Sequence, residues 1–177
     1  MMTNQLDQLY QQVILDHARS AHGRGLAVGD ENARSAQGES HQVNPTCGDE
    51  VTLRVALSGA DDGAATVERV TWEGQGCSIS QASLSVLTDL VTGRSADEAE
   101  QLGETFRALM ASRGQGLDES LEDELGDATA FTGVSQFPAR IKCALLGWAA
   151  LRDALAKAGA ASATSAPQTQ DLPKEDA

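Results

Sequence analysis

The sequence has few aromatic residues, few basic residues and no long apolar run. Aromatic residues make up 3% of the 177 residues, so we expect a core of aliphatic side chains and alanine. Lys and Arg total 13 against 26 Asp and Glu, giving a formal net charge of −13. This charge argues against a nucleic-acid or anionic membrane surface. Nor does any apolar run approach the roughly 18 residues that span a bilayer, so we expect no membrane segment.

The length and the two ends of the sequence predict one domain in the cytoplasm. A chain of 177 residues suits a single domain with a tail better than two domains. The first ten residues, MMTNQLDQLY, lack the basic-then-apolar order of a signal peptide. The last residues are small, polar and proline-containing, which is typical of disorder. We therefore expect a cytoplasmic protein with a domain over residues 1–159 and a disordered tail over 160–177.

The first third of the chain is predicted to form a helix and a hairpin. Residues 4–19 have the apolar spacing of an amphipathic helix, at Leu6, Leu9, Val13 and Ile14. Residues 20–46 are rich in small, polar and charged side chains, which predicts an irregular connection. Alternation of apolar and polar residues then predicts strands at 51–59 and 66–73, joined as a hairpin through the segment ADDGA.

Beyond residue 76 the apolar spacing becomes helical. One helix is predicted from residue 78 to a C-terminal cap near Gly93, and the next begins with the capping-box pair Ser95 and Glu98. A short helix is predicted at LEDEL, and a final helix from Pro138 to Gly159. The element order predicts an α+β domain: a helix first, then a small antiparallel sheet with further helices packed against it.

The three cysteines are the most informative residues of the sequence. An odd number cannot be absorbed into internal disulfides, and a reducing cytosol disfavours them. Cys47 lies in a polar turn, NPTCGDEV, where a bare thiol would be exposed to oxidation. Cys77 precedes a predicted helix, whose N-terminus favours a thiolate. Cys143 lies in the first turns of the last helix, so each cysteine sits at a boundary between elements.

A turn carboxylate completes the set of possible ligands. Gly48 allows a tight turn in which Cys47 and Asp49 can face one centre. Three thiolates and one carboxylate form a tetrahedral set suited to zinc or to an iron–sulfur cluster. With a divalent metal this set carries a net charge of −2, which Arg140 and Lys142 could offset. The alternative for Asp49 is a turn residue that caps its own backbone.

Four segments resemble the signature segments of the IscU/NifU-N family of iron–sulfur assembly proteins. They are LYQQVILDH, NPTCGDEVTL, GQGCSIS and RIKCALLGWAAL, and the similarity spans residues 6 to about 157. The resemblance implies that the metal ligands are Cys47, Asp49, Cys77 and Cys143.

Two features resemble the SufU branch of this family. Lys142 stands where IscU scaffolds carry a histidine, and the segment between Cys77 and Cys143 is longer than in IscU. One departure is SAHGRG after His17, where the family has a turn like Asn-Pro-Arg-Asn. The resemblance implies a zinc-dependent protein that relays sulfur from a pyridoxal-phosphate cysteine desulfurase of the SufS type to downstream Suf scaffold proteins.

The residue roles follow from this resemblance together with persulfide chemistry. We assign Cys47 as the persulfide acceptor, because its glycine-flanked turn can release it from the metal, and Arg140 as a charge-balancing or docking residue. The protein would then be a sulfur relay, rather than an enzyme turning over a small substrate. Two alternatives remain: a scaffold for a [2Fe–2S] cluster, and a structural zinc module. We expect His17 to be satisfied locally at its helix end, and His22 and His41 to be solvated.

Overall fold

Three strands and five α-helices make up the part of the chain that the computed structural model describes, residues 2–26, 36–59 and 65–164. In chain order the elements are α1 (Met2–Ser20), β1 (Ala36–Asn44), β2 (Asp49–Ser58), β3 (Thr66–Gln75), α2 (Ser78–Val91), α3 (Ala96–Ala111), α4 (Glu119–Leu125), a 3₁₀-helical stretch (Gly126–Gln136) and α5 (Pro138–Thr164). The predicted α+β class, with its helix first, is confirmed.

The strands form one antiparallel sheet in the order β1-β2-β3. The apolar residues of β2 alternate as predicted, and Leu53 at its centre is paired with Ser40 on one side and Trp72 on the other. The predicted pairing of the second and third strands is therefore confirmed. The predicted connection ADDGA, at 60–64, lies outside the described residues.

The prediction of an irregular connection over residues 20–46 is wrong for residues 36–44, which form β1. The sequence of β1, AQGESHQVN, shows no apolar alternation. Its buried positions instead hold small or polar residues such as Ser40 and Asn44. At Gly38 an added Cβ would overlap the carbonyl oxygen of Ala154 in α5. Close packing under α5 therefore selects small residues on this strand, and pairing with β2 rather than β-propensity makes it a strand.

The core face of α1 differs from the one predicted. Ile14 is buried and Val13 packs against the core, but Leu6 and Leu9 are 49% and 58% exposed. His17 takes a buried position on this helix. The helix itself is confirmed, but its first two leucines do not reach the core.

The helices that follow the sheet begin as the sequence predicts. The capping box is present: Glu98 N–H donates to Ser95 Oγ, and Ser95 N–H donates to Glu98 Oε2, both at 3.1 Å. Gly93 follows α2 with a positive φ of 86°. The predicted stop at Gly159 is wrong, since α5 continues to Thr164. The single domain and the disorder of the tail stay predictions, and residues 165–177 lie outside the described part.

The few aromatic residues are concentrated in the core. Phe106 is stacked on Trp148 at 5.0 Å between ring centroids and meets Phe131 edge-on at 5.6 Å. Phe106 and Phe131, together with Trp72, are among the largest fully buried side chains. The core is otherwise aliphatic, as expected. Of the helices described, none combines the length and the apolar character needed to cross a membrane.

Candidate metal centre

Three of the four predicted ligands meet at one place. One ligand atom each from Cys47, Asp49 and Cys143 lie within 4.8 Å of one another. The sulfurs of Cys47 and Cys143, which are 96 positions apart in sequence, are separated by 3.5 Å. Cys77 lies beside this group, with its Sγ 3.7 Å from Asp49 Oδ2. The fold therefore brings a turn, a strand end, a helix start and the interior of a helix together.

The turn between β1 and β2 places Cys47 and Asp49. Asn44 closes the turn twice: its carbonyl oxygen accepts from Gly48 N–H at 2.9 Å, and its side-chain oxygen accepts from Thr46 N–H at 3.1 Å. Gly48 has a φ of 74°, a left-handed conformation that favours glycine. The result is an exposed thiol at Cys47 and a buried carboxylate at Asp49, the first residue of β2.

Cys77 is the N-cap residue of α2 and binds Asp49 through its backbone. Its N–H donates to Asp49 Oδ1 at 3.3 Å. Gly76 precedes it, and an added Cβ there would overlap Ser80 Oγ and lie 3.1 Å from the carboxyl carbon of Asp49. Glycine at position 76 therefore lets the start of α2 approach the carboxylate. The predicted position of Cys77 at a helix start is confirmed.

Cys143 is the buried thiol of the group, 6% exposed within α5. Burial raises the pKa of this thiol far above its usual value, and Asp49, Cys47 and Cys77 raise it further. A thiolate here would be desolvated beside other anionic groups, so without a cation Cys143 keeps its proton at neutral pH. A divalent metal between the donors would reverse this preference, because it stabilises thiolates directly. The donor set of three sulfurs and one oxygen fits a soft or borderline metal such as zinc.

Arg140 and Lys142 are the basic residues nearest to Cys143 in the sequence. Arg140 precedes Cys143 by three residues, so both lie on the same side of α5. The guanidinium of Arg140 stacks over the exposed ring of Phe137 at 5.4 Å and has no carboxylate partner among the described residues. Lys142 is also exposed. These cations are available to a partner or to a charged metal centre.

The histidines differ from what the sequence led us to expect. His17 is not satisfied locally: its ring nitrogens lie 2.9 Å from Ser85 Oγ and from Asp127 Oδ2, which are 68 and 110 positions away. His22 is half-exposed but pairs with Asp89 at 2.7 Å. Sequence reasoning missed these contacts of His17 and His22, because no local pattern links residues so far apart. His41 lies on β1, not in a loop, with its Nδ1 2.8 Å from Thr52 Oγ1.

Comparison with known proteins shows what this chain resembles. The model of the NifU-like N terminal domain family matches residues 9–157. The zinc-dependent sulfurtransferase SufU of Bacillus subtilis is 40% identical over 156 residues, covering 86% of this chain and 92% of that protein. The iron–sulfur cluster assembly scaffold protein IscU of Streptococcus pyogenes serotype M1 is 37% identical over 155 residues, covering 88% and 87%.

A solved structure shows the same likeness in three dimensions. It is a candidate iron–sulfur cluster assembly scaffold protein for the SUF system from Fervidobacterium islandicum. The two chains are 32% identical with a TM-score of 0.65, and the match covers 81% of this chain and 94% of the other.

Proposed function

The chain belongs to the NifU-like N-terminal domain family, and we propose that it is a zinc-dependent sulfurtransferase of iron–sulfur cluster assembly. It accepts persulfide sulfur on Cys47 from a pyridoxal-phosphate cysteine desulfurase of the SufS type. It then passes this sulfur to downstream Suf scaffold proteins in the cytoplasm. The likeness to a relative named as a zinc-dependent sulfurtransferase supports this reading.

The contrast among the three thiols is the observation that carries the assignment of Cys47. Its thiol is exposed on a glycine-containing turn, whereas Cys143 is buried within a helix. Cys77 is exposed but held to Asp49 through its own backbone N–H. Cys47 is therefore the exposed thiol whose backbone lies in a turn, whereas the backbones of Cys77 and Cys143 lie at the start of one helix and within another.

The proposed metal ligands are Cys47, Asp49, Cys77 and Cys143. Bound zinc would keep these thiols deprotonated at neutral pH while quenching their nucleophilicity. Asp49, Cys77 and Cys143 would be the holding ligands, and Cys47 would be the acceptor thiol, which reacts only when it is not bound to the metal. The buried carboxylate of Asp49 stays in place because the N–H of Cys77 donates to it.

The transfer is a thiol–disulfide type exchange. The thiolate of Cys47 attacks the outer sulfur of the desulfurase persulfide, forming a new sulfur–sulfur bond. The original sulfur–sulfur bond breaks, and the desulfurase cysteine leaves as a thiolate. The transferred sulfur keeps its hydrogen, so the step needs no oxidant or reductant. We assign to Arg140, which is exposed and three residues before Cys143, the role of offsetting the negative charge of the metal with its four ligands or of contacting the desulfurase.

A cluster scaffold is the second candidate. The same four donors would suit a [2Fe–2S] unit, and a relative named as a scaffold is nearly as similar to this chain as the sulfurtransferase. Lys142, in place of the histidine of IscU scaffolds, favours the sulfurtransferase.

The metal content and the response of a desulfurase together test the proposal. Anaerobically purified protein should contain about one zinc per chain with little iron, and should stimulate cysteine turnover by a SufS-type desulfurase. Cys47→Ser should abolish this stimulation, whereas Thr46→Ser, an exposed neighbour in the same turn, should retain it. Iron with matching acid-labile sulfide would favour the scaffold. Full stimulation by Cys47→Ser would overturn the role of Cys47.

A further inference from the structure

We propose that His17, His22 and Asp89 form a second, thiol-free site for a divalent first-row metal ion such as Zn²⁺ or Fe²⁺. One ring nitrogen of each histidine and one carboxylate oxygen of Asp89 lie within 4.8 Å of one another. A second carboxylate, that of Asp127, lies 2.9 Å from His17 Nε2. This proposal is independent of the sulfur-transfer function.

The site is well separated from the cysteines. Ser85, which contacts His17, lies eight residues beyond Cys77 on α2, or about 12 Å at 1.5 Å per residue. Asp89 lies one turn further along the same helix. A metal ion bound here would therefore share no ligand with the cysteine group.

The donor spacing is close to that of a coordinated ion. Ligand atoms on a tetrahedral zinc, each about 2.0–2.1 Å from the metal, are about 3.3 Å apart. His22 Nδ1 and Asp89 Oδ2 are separated by 2.7 Å, and the remaining donor pairs by at most 4.8 Å. His22 Nδ1 and Asp89 Oδ2 would have to move apart by about 0.6 Å, and the atoms of the other pairs would have to approach each other by at most about 1.5 Å, to reach the spacing of ligands on one ion. Side-chain rotations can provide shifts of this size without moving α1 or α2.

The hydrogen bonds of Ser85 suit a metal-binding tautomer of His17. Ser85 Oγ accepts from the backbone N–H of His22 at 3.0 Å and lies 2.9 Å from His17 Nδ1. A hydroxyl oxygen has two lone pairs, so it can accept from both groups. Without an ion, Nε2 carries a hydrogen and donates it to the carboxylate of Asp127, which can only accept. A bound ion would take the place of that hydrogen at Nε2, and the Nδ1–H form of the ring would then donate to Ser85. A hydrogen bond that fixes the ring in this way is usual for metal-binding histidines.

The loop that carries His22 is held in place by β3. Trp72 donates from its indole Nε1 to the carbonyl oxygen of His22 at 2.8 Å, and from its backbone N–H to Gly23 at 2.9 Å. Gly25 N–H donates back to Trp72 at 2.7 Å. His22 is therefore positioned before any ion arrives, which lowers the ordering cost of binding.

Charge and access also favour a divalent cation. The cluster contains two carboxylates, those of Asp89 and Asp127, and carboxylate oxygens are suitable donors to a divalent ion. His17 is buried, whereas the side chains of His22 and Asp89 are 50% and 49% exposed and line an open surface depression. The ion thus has a route from solvent. Two imidazoles with carboxylate and no sulfur suit zinc or iron(II), and two histidines with one carboxylate are common in iron(II) sites.

Cobalt(II) is the probe that separates this site from the cysteines. The full-length protein, with its thiol group loaded with zinc, is titrated with Co²⁺. Nitrogen and oxygen ligands should give visible d–d bands without the sulfur-to-cobalt charge-transfer absorption of a thiolate site. We expect one equivalent to bind with this signature, and Zn²⁺ or anaerobic Fe²⁺ to displace it. Absence of such binding, or bands with sulfur character only, would overturn the proposal.

Variants at the exposed ligands His22 and Asp89, and at the buried Ser85, assign the roles of these residues. His22→Gln and Asp89→Asn should each remove the second equivalent of Co²⁺, and Ser85→Ala should weaken it about tenfold. His41→Gln changes an exposed histidine of β1 and should bind as the unchanged protein does. Zinc content at the cysteines should stay constant in all four variants, which checks that they fold. Retention of the second equivalent in both His22→Gln and Asp89→Asn would show that the cluster is a set of hydrogen bonds only.

Discussion

The turn that presents Cys47 depends on the left-handed backbone of Gly48, and this dependence can be measured. An added Cβ at Gly48 meets no atom within 4 Å, so Gly48→Ala introduces no clash. Its φ of 74° is unfavourable for alanine, at a cost of about 1–2 kcal/mol. Asparagine visits this region more readily, so Gly48→Asn should cost less than Gly48→Ala.

The assay is urea unfolding with an excess of chelator, so that metal binding does not contribute. The matched control is Gly133→Ala, since Gly133 also has open space around its Cβ position but has no positive φ. Replacing glycine without strain should be neutral or slightly stabilising, by about 0.4–1 kcal/mol. We expect free energies of unfolding in the order Gly133→Ala, Gly48→Asn, Gly48→Ala, from highest to lowest.

A competition titration with a chromophoric chelator then tests the link to the metal. If Gly48→Ala relaxes the turn towards a negative φ, the bond from Gly48 N–H to Asn44 is lost and Cys47 moves away from Cys143. Zinc affinity should then fall for alanine more than for asparagine. Equal unfolding free energies for Gly48→Ala and Gly133→Ala would refute the argument that this turn requires a left-handed residue.

Three further predictions concern the metal and the core. Removing zinc with a chelator should lower the free energy of unfolding by about 2.7 kcal/mol, compared with protein at a free zinc concentration of 100 times Kd. Most of the helical circular dichroism signal should remain, because the core does not depend on the metal, and complete loss of this signal would contradict the prediction. Phe106→Ala should lower the free energy of unfolding in urea by about 3–5 kcal/mol, since it removes the ring stacked on Trp148. A loss smaller than that of a surface substitution would show that Phe106 is not central to the core. Ser95→Ala should cost about 0.5–2 kcal/mol by losing the capping box of α3, and an unchanged midpoint would show that the cap is not needed.

Local sequence context identified the cysteine group, because each member is marked by its immediate neighbours. Gly48 marks the turn of Cys47, and the helical period that begins after Cys77 marks its helix start. What the local pattern could not supply was the distance between segments, such as the approach of Cys143 to Cys47. The ligand roles themselves stay predictions until a metal is measured.

Features that depend on pairing between distant segments escaped sequence analysis. β1 has no apolar alternation, because α5 covers it so closely that glycine and serine are required. Leu6 and Leu9 follow a helical period although they lie beyond the edge of the core. The contacts of His17 reach residues 68 and 110 positions away, which no spacing rule connects.

The most direct test of the account is the location of the persulfide after a single turnover. The zinc-loaded protein is incubated with a SufS-type desulfurase and cysteine, digested without reduction, and analysed by mass spectrometry. Asp49→Ala serves as the companion variant, because it removes an oxygen ligand and leaves every thiol in place. We predict one added sulfur on Cys47, absent in Cys47→Ser and still present in Asp49→Ala. Accumulation on Cys77 or Cys143 at the normal rate in Cys47→Ser would contradict the account.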